Sequence, residues 1–210
     1  MANADMNRLL DNARMRLPGA LDTAIQYEFF SAMDDFFQKS NVWTENIQFD
    51  AVATSATYFQ DPDAFTYHLV PMENGTINRL LGVVDANGFF QKAYMPTLGY
   101  LVLERSPNFD QTYTARVAKS VSDPVTREGN PVFPDWILEK YGSEILDGIL
   151  GRMMSQIAKP YTSPQLANVH LKKFSNAISQ AKVEASHQNV YRGQSWKFPQ
   201  TFMRRRYNKF

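Results

Sequence analysis

The hydrophobic spacing of this chain changes period twice, from helical to strand-like and back, and that limits its folds more than any other feature. Leu21, Ile25, Phe29, Ala32, Met33 and Phe36 recur at helical intervals and give one broad apolar face. Pro18 and Gly19 mark the turn that precedes this helix, and Asn41 falls where it should stop. Trp43 then packs at a junction. From Thr44 to about Val121 the chain consists of short runs rich in Val, Thr, Tyr and Phe, broken by turn residues, which is strand chemistry. Helical spacing resumes with Leu138, Tyr141, Ile145, Ile149 and Met153, and again with Leu166, His170, Phe174, Ala177, Ile178 and Ala181.

This order predicts an α+β fold. A bundle of about three main helices, near 20–42, 135–157 and 164–189, carries an inserted antiparallel sheet region near 44–121. All of it forms one domain over 1–190, followed by an extended C-terminal arm over 191–210. Within the sheet region, "NIQFDAVA" should turn Ile47, Phe49 and Ala51 inward and Gln48 and Asp50 outward. Asn87-Gly88 between two β-prone runs predicts a type I′ hairpin. "GYLVLE" and "TYTARVAKSV" form a further pair around the loop "RSPNFDQ". Pro124, Gly129, Pro131 and Pro134 make the following segment a crossover. The last two helices should pair as an antiparallel hairpin, the second capped by Ser163 with Pro164 in its first turn. Gly142, Gly148 and Gly151 each cost about 1 kcal/mol of helix propensity against Ala, so close packing must offset them.

Little in the chain points to chemistry. Lys plus Arg (22) nearly balance Asp plus Glu (21), so there is no whole-molecule field to attract nucleic acid or an anionic membrane. With no cysteine there is no disulfide framework, thiolate metal site or cysteine nucleophile. The N-terminus lacks the apolar core of a signal peptide, and no stretch approaches the roughly 18 apolar residues of a membrane helix, so a soluble chain with no membrane partner is expected. The spacing of His68, His170 and His187 does not suit a shared metal. Asp34-Asp35 and Asp61-Pro62-Asp63 read as a helix surface and a turn rather than a catalytic pair. No phosphate-loop, dinucleotide, nucleophile-elbow or zinc-protease motif is found. The expectation is therefore no catalytic residue, no metal and no cofactor.

The C-terminal segment is different. From Asn189 onward there is no acidic residue, while Arg192, Lys197, Arg204, Arg205, Arg206 and Lys209 alternate with Tyr191, Trp196, Phe198, Phe202, Tyr207 and Phe210. Exposed rings in such number invite association, and aromatic and arginine side chains are enriched at interface hot spots. Pro199 favours extended backbone. The segment therefore reads as a docking arm, with Trp196, Phe198, Phe202, Arg204, Arg205, Arg206, Tyr207 and Phe210 as its partner-binding residues. Single-stranded nucleic acid could use the same chemistry, and packing onto the chain's own domain is a third possibility.

The helix opened by "LPGALDTAI" and closed by "VWTENIQF", the inserted β region, "FPDWILEKYGSEILDGILGRMM" and "KPYTSPQLANVHLKKFSNAISQAK" together resemble the head-to-tail adaptor, or connector, proteins of tailed bacteriophages. The similarity covers about two thirds of the chain, in its helical blocks, and includes a Pro-Tyr loop matched by Pro160, Tyr161 and Ala167. The central stretch from Asp61 to Arg127 departs from the pattern. The resemblance implies a structural virion protein at the neck, assembled in the host cytoplasm. It would form a ring of copies, normally twelve, beneath the portal protein, and present a platform for tail or nozzle proteins. Genomic DNA would pass through the channel without specific binding, and the C-terminal arm would reach onto the portal. A tail terminator or other neck ring, and a nucleic-acid-binding accessory protein using the basic arm, are the alternatives.

Overall fold

A computed structural model describes residues 2–51, 66–71, 75–105, 107, 109–121 and 133–188. These form a mixed α+β fold with four helices and two small antiparallel sheets. The helices are α1 (Ala2–Arg16), α2 (Asp22–Ser40), α3 (Trp136–Met154) and α4 (Pro164–Gln188). The strands are β1 (Thr44–Ala51), β2 (Thr66–His68), β3 (Thr76–Val84), β4 (Phe90–Gln91), β5 (Ala93–Thr97), β6 (Tyr100–Leu103) and β7 (Gln111–Ser120).

Three helices lie within two or three residues of their expected limits, but α1 makes a fourth that the sequence reading did not anticipate. Its apolar stripe is narrow. Leu9, Leu10 and Ala13 are nonetheless buried, together with Leu17 just past the helix end, and α1 packs on α2 and α3. The turn into α2 uses Gly19 at φ +80°, and Arg14 Nε donates to Asp22 Oδ1 at 2.7 Å, tying the two helices at that end. Asn41 ends α2 in the left-handed region (φ 54°), with its N–H donating to Phe37 O at 3.0 Å, a common helix stop. Leu21 and Leu166, expected on core faces, are exposed instead. Each sits at the edge of its helix's first turn, and the buried stripes begin at Ile25 and Ala167.

α3 and α4 run antiparallel, since Lys140 bonds Glu184 at one end while Gly151 abuts Leu171 at the other. Two of the three helix glycines explain their cost. A methyl on Gly148 would lie 2.9 Å from the Phe174 ring, and one on Gly151 would lie 2.8 Å from Leu171 Cγ. One on Gly142 would meet Leu9 at an ordinary 3.8 Å. The helical core centres on Phe29, Met33, Phe36, Phe37, Ile145 and Ile149, all fully buried.

The strands form two sheets, where one was expected. The first has the order β1-β7-β3-β4 and the second β2-β6-β5. The chain leaves β4 and enters β5 after a single residue, Lys92, so one nearly continuous strand turns the corner between sheets. That corner also corrects the expected pairing of "GYLVLE" with "TYTARVAKSV". β6 pairs with β2 and β5, whereas β7 pairs with β1 and β3. The two inner faces share one core, with Ile47, Val83, Ala115 and Val117 from the first sheet facing Leu101 and Leu103 from the second. The β1 alternation is as expected: Ile47 and Ala51 are buried, Gln48 and Asp50 exposed, and Phe49 stacks on Tyr113 at 5.6 Å.

The Asn87-Gly88 hairpin forms with a different turn. Only Gly88 has positive φ (+81°), and Asp85 pairs with Phe89 around a three-residue loop, the signature of a type I turn with a glycine bulge. The cause is Asp85, whose Oδ1 accepts the N–H groups of Asn87 at 2.9 Å and Phe89 at 2.8 Å. That bonding fixes Asn87 in the right-handed region.

The helical and β cores are separate clusters that meet at Trp43. Its ring packs on Phe37 at 5.5 Å, and its carbonyl accepts the Lys119 N–H at 2.8 Å. The Lys119 ammonium lies 4.8 Å from the indole centroid and 2.7 Å from Glu45 Oε2. Gly75 closes the same junction. At φ +113°, it would place any Cβ 2.6 Å from the Trp43 ring.

Candidate docking surfaces

The expected docking residues Trp196, Phe198, Phe202, Arg204, Arg205, Arg206, Tyr207 and Phe210 lie outside the described residues, as do Asp61 and Asp63. What is described is the root of the arm. α4 carries the chain to Gln188, and one turn earlier Glu184 and Ala185 form a wall of an open groove of about 630 Å³. The floor and far wall come from Trp43, Pro134, Trp136, Lys140 and Tyr141. The groove therefore sits where the helical bundle, the start of β1 and the end of α4 meet.

Its polar atoms form one cluster. The Glu184 carboxylate accepts from the Lys140 ammonium on one oxygen and from the Tyr141 hydroxyl on the other, at 3.1 Å. The Lys140 ammonium also lies 5.1 Å from the Tyr141 ring centroid. These bonds hold the Glu184 carboxyl below its ordinary range, through Lys140 first and Tyr141 second. Burial pushes the Tyr141 hydroxyl up, and the bond to Glu184 keeps the Lys140 ammonium protonated to higher pH. Trp136 opens α3 with 41% of its surface exposed, its ring edge-on to Tyr141 at 6.4 Å.

A carboxyl with a depressed folded pKa contributes stability above its unfolded pKa, and that contribution is lost as pH falls through the folded value. Glu184→Gln should therefore remove part of the protein's own acid sensitivity. Melting temperature followed from about pH 5 to pH 3 should fall less steeply in the variant than in the parent. Parallel slopes would mean that Glu184 keeps the same pKa after unfolding.

The other polar clusters are structural. Arg152 of α3 reaches α2, donating to Ser31 and Asp35 and lying 3.8 Å from Glu28. Asp35, half of the Asp34-Asp35 pair, is thus an anchor for a buried-side arginine. His170 bonds Asp147 at 2.7 Å across the α3–α4 seam, and the His68 ring lies tilted against Tyr100 with 4.9 Å between centroids. Among the described residues no group of three or more His, Asp or Glu side chains could hold a metal ion, and no helix is long and apolar enough to cross a membrane.

Exposed apolar surface collects in two further places. At one end of the bundle, the Leu17-Pro18-Gly19 turn lies beside the α3–α4 connection, where a methyl on Gly19 would meet the Pro160 ring at 3.6 Å. Leu21, Ile157 and Leu166 are all exposed around these segments, Ile157 at 88%. On the second sheet, Tyr94, Leu98 and Tyr100 are open to solvent. Nothing in the sequence brought Trp136 and Glu184 together, and the groove was not anticipated. Its walls are separated by more than forty positions, and the only local signal was an aromatic pair, Trp136 and Tyr141, flanking Lys140.

A scan against models of known protein families finds no match for this chain, and a search of curated proteins finds none either.

Proposed function

We propose that this protein is a structural ring component of a tailed-bacteriophage neck, a head-to-tail adaptor that links the portal to the tail around the DNA channel. One observation carries the reading. Two of the segments on which the family resemblance rests, Leu17-Pro18-Gly19 and Pro160-Tyr161, are about 140 residues apart in sequence but adjacent at one end of the bundle. Tyr161 and Ala167, the other matched positions, are buried there. Leu21, Ile157 and Leu166, exposed around this end, supply the kind of apolar patch that a head-to-tail ring contact covers. The near-zero net charge suits a channel component, since each phosphate gripped adds binding free energy that would slow DNA passage.

In this reading the segment from Tyr191 to Phe210 binds the portal, with Trp196, Phe198, Phe202, Tyr207 and Phe210 as anchors and Arg204, Arg205 and Arg206 paired to carboxylates or backbone carbonyls. The test is sedimentation of the full chain with portal rings and, separately, with duplex DNA. The full chain should comigrate with portal rings. Truncation after Gly193, or Ala at Arg204, Arg205 and Arg206 together, should weaken that binding by about a hundredfold or more, as loss of several hot-spot contacts does. Arm-dependent comigration with DNA alone, lost steeply with salt, would instead make it a nucleic-acid-binding accessory protein.

A further inference from the structure

We propose that the groove between Trp136 and Glu184 is the seat of this chain's own C-terminal arm in the unassembled protein, occupied by its first aromatic block, Tyr191 to Phe198. The inference concerns the free chain and does not depend on what the arm binds later. Position is the first reason. Glu184 and Ala185 line the groove one turn before Gln188, so the chain leaves α4 at the groove's edge. Trp196 is eight residues beyond Gln188 and can reach about 26 Å from it, well beyond one helical turn of about 5.4 Å.

Chemistry is the second. The block holds Tyr191, Arg192, Trp196, Lys197 and Phe198 without an acidic residue. The groove offers an aromatic wall in Trp136 and Tyr141, with Trp136 two-fifths exposed. Its carboxylate, Glu184, has a depressed pKa and is ionised at neutral pH. Lys140 and Tyr141 use one acceptor site on each Glu184 oxygen, and a carboxylate has about four. An arginine or lysine can therefore join without displacing them. At about 630 Å³ the groove lies in the range that holds a few large side chains.

Nucleic acid fits less well, because phosphates would face the Glu184 carboxylate. Aromatic and basic side chains from one segment satisfy both walls at once. Seating the arm here would also hide apolar rings that otherwise promote aggregation.

The experiment uses the full chain with a benzophenone amino acid in place of Trp196, irradiated at low concentration as an equal mixture of heavy- and light-isotope protein. Crosslinks should map to Pro134–Tyr141 or Glu184–Ala185 and join segments of the same isotope. Glu184→Lys, an exposed change that should leave the helical circular dichroism intact, should lower crosslink yield by about tenfold, the effect of losing one charge-assisted contact. Crosslinks elsewhere, no crosslinks, or a yield unchanged by Glu184→Lys would overturn the proposal. Mixed-isotope crosslinks would also overturn it, by showing that the arm occupies a second copy. None of these outcomes bears on portal binding, which the sedimentation test decides separately.

Discussion

Gly75→Ala is expected to destabilise the protein by about 3–5 kcal/mol, combining backbone strain with a steric clash. The backbone sits at φ +113°, where an L side chain is strained whatever the surrounding space. The added methyl would also lie 2.6 Å from the Trp43 ring and 3.1 Å from both Lys119 Cε and the Ser120 carbonyl. None of these neighbours can easily move. Trp43 is held by Phe37, and Ser120 lies in the β7 backbone. Gly88→Ala is the comparison without a clash, because Gly88 also has a positive φ (+81°), closer to the left-handed well, with nothing within 4 Å of an added methyl. It should cost only about 1–2 kcal/mol. Urea midpoints for the two variants decide the matter. Equal losses would show that the contact with Trp43 adds nothing beyond the dihedral.

Lys119→Met should cost about 3–5 kcal/mol, and for an electrostatic reason rather than a packing one. Lys119 is fully buried and Glu45 nearly so, with 2.7 Å between ammonium and carboxylate. Methionine keeps most of the volume but takes away the ammonium that lies 2.7 Å from the Glu45 carboxylate. Removing both charges, in Lys119→Met/Glu45→Gln, should restore much of the loss, since a buried pair costs nearly as much to desolvate as it returns. The double-mutant cycle in urea should therefore show a coupling of about 2 kcal/mol or more. Additive losses would mean that the two charges are stabilised independently of each other. Both variants act at the joint between the helical and β cores.

The joint also marks how far local sequence reaches. Trp43 was expected at a junction because it follows the helix-stopping Asn41 and precedes a strand, and it lies there. Nothing in the sequence singled out Gly75 or Lys119 as its neighbours. Gly75 precedes a strand, and Lys119 falls at a strand end where a lysine is ordinary. Their roles exist only because β3 and β7 are paired with Thr76 opposite Ser120. The groove has the same origin. Trp136 and Glu184 carry no shared local signal, and they meet because α3 and α4 run antiparallel. The helix α1 was missed for a different reason. Its buried residues Leu9, Leu10 and Ala13 form a stripe too narrow to stand out from a polar background, and burial against α2 and α3 supplies the stability that propensity alone does not.

By itself the sequence determined the elements and their order: the three longer helices to within two or three residues, the β region between them, the Asn41 stop and the hairpin at Asn87-Gly88. These depend on spacing, capping and turn residues, which act within a few positions of one another. Only the tertiary structure decided that the strands divide into two sheets, that β6 and β7 part company, and which side chains line the groove. Such choices depend on pairings between residues tens of positions apart, where many registers bury similar apolar area. The selection among them is made by contacts such as Gly75 against Trp43 and Lys119 against Glu45, which exist only once the chain has folded.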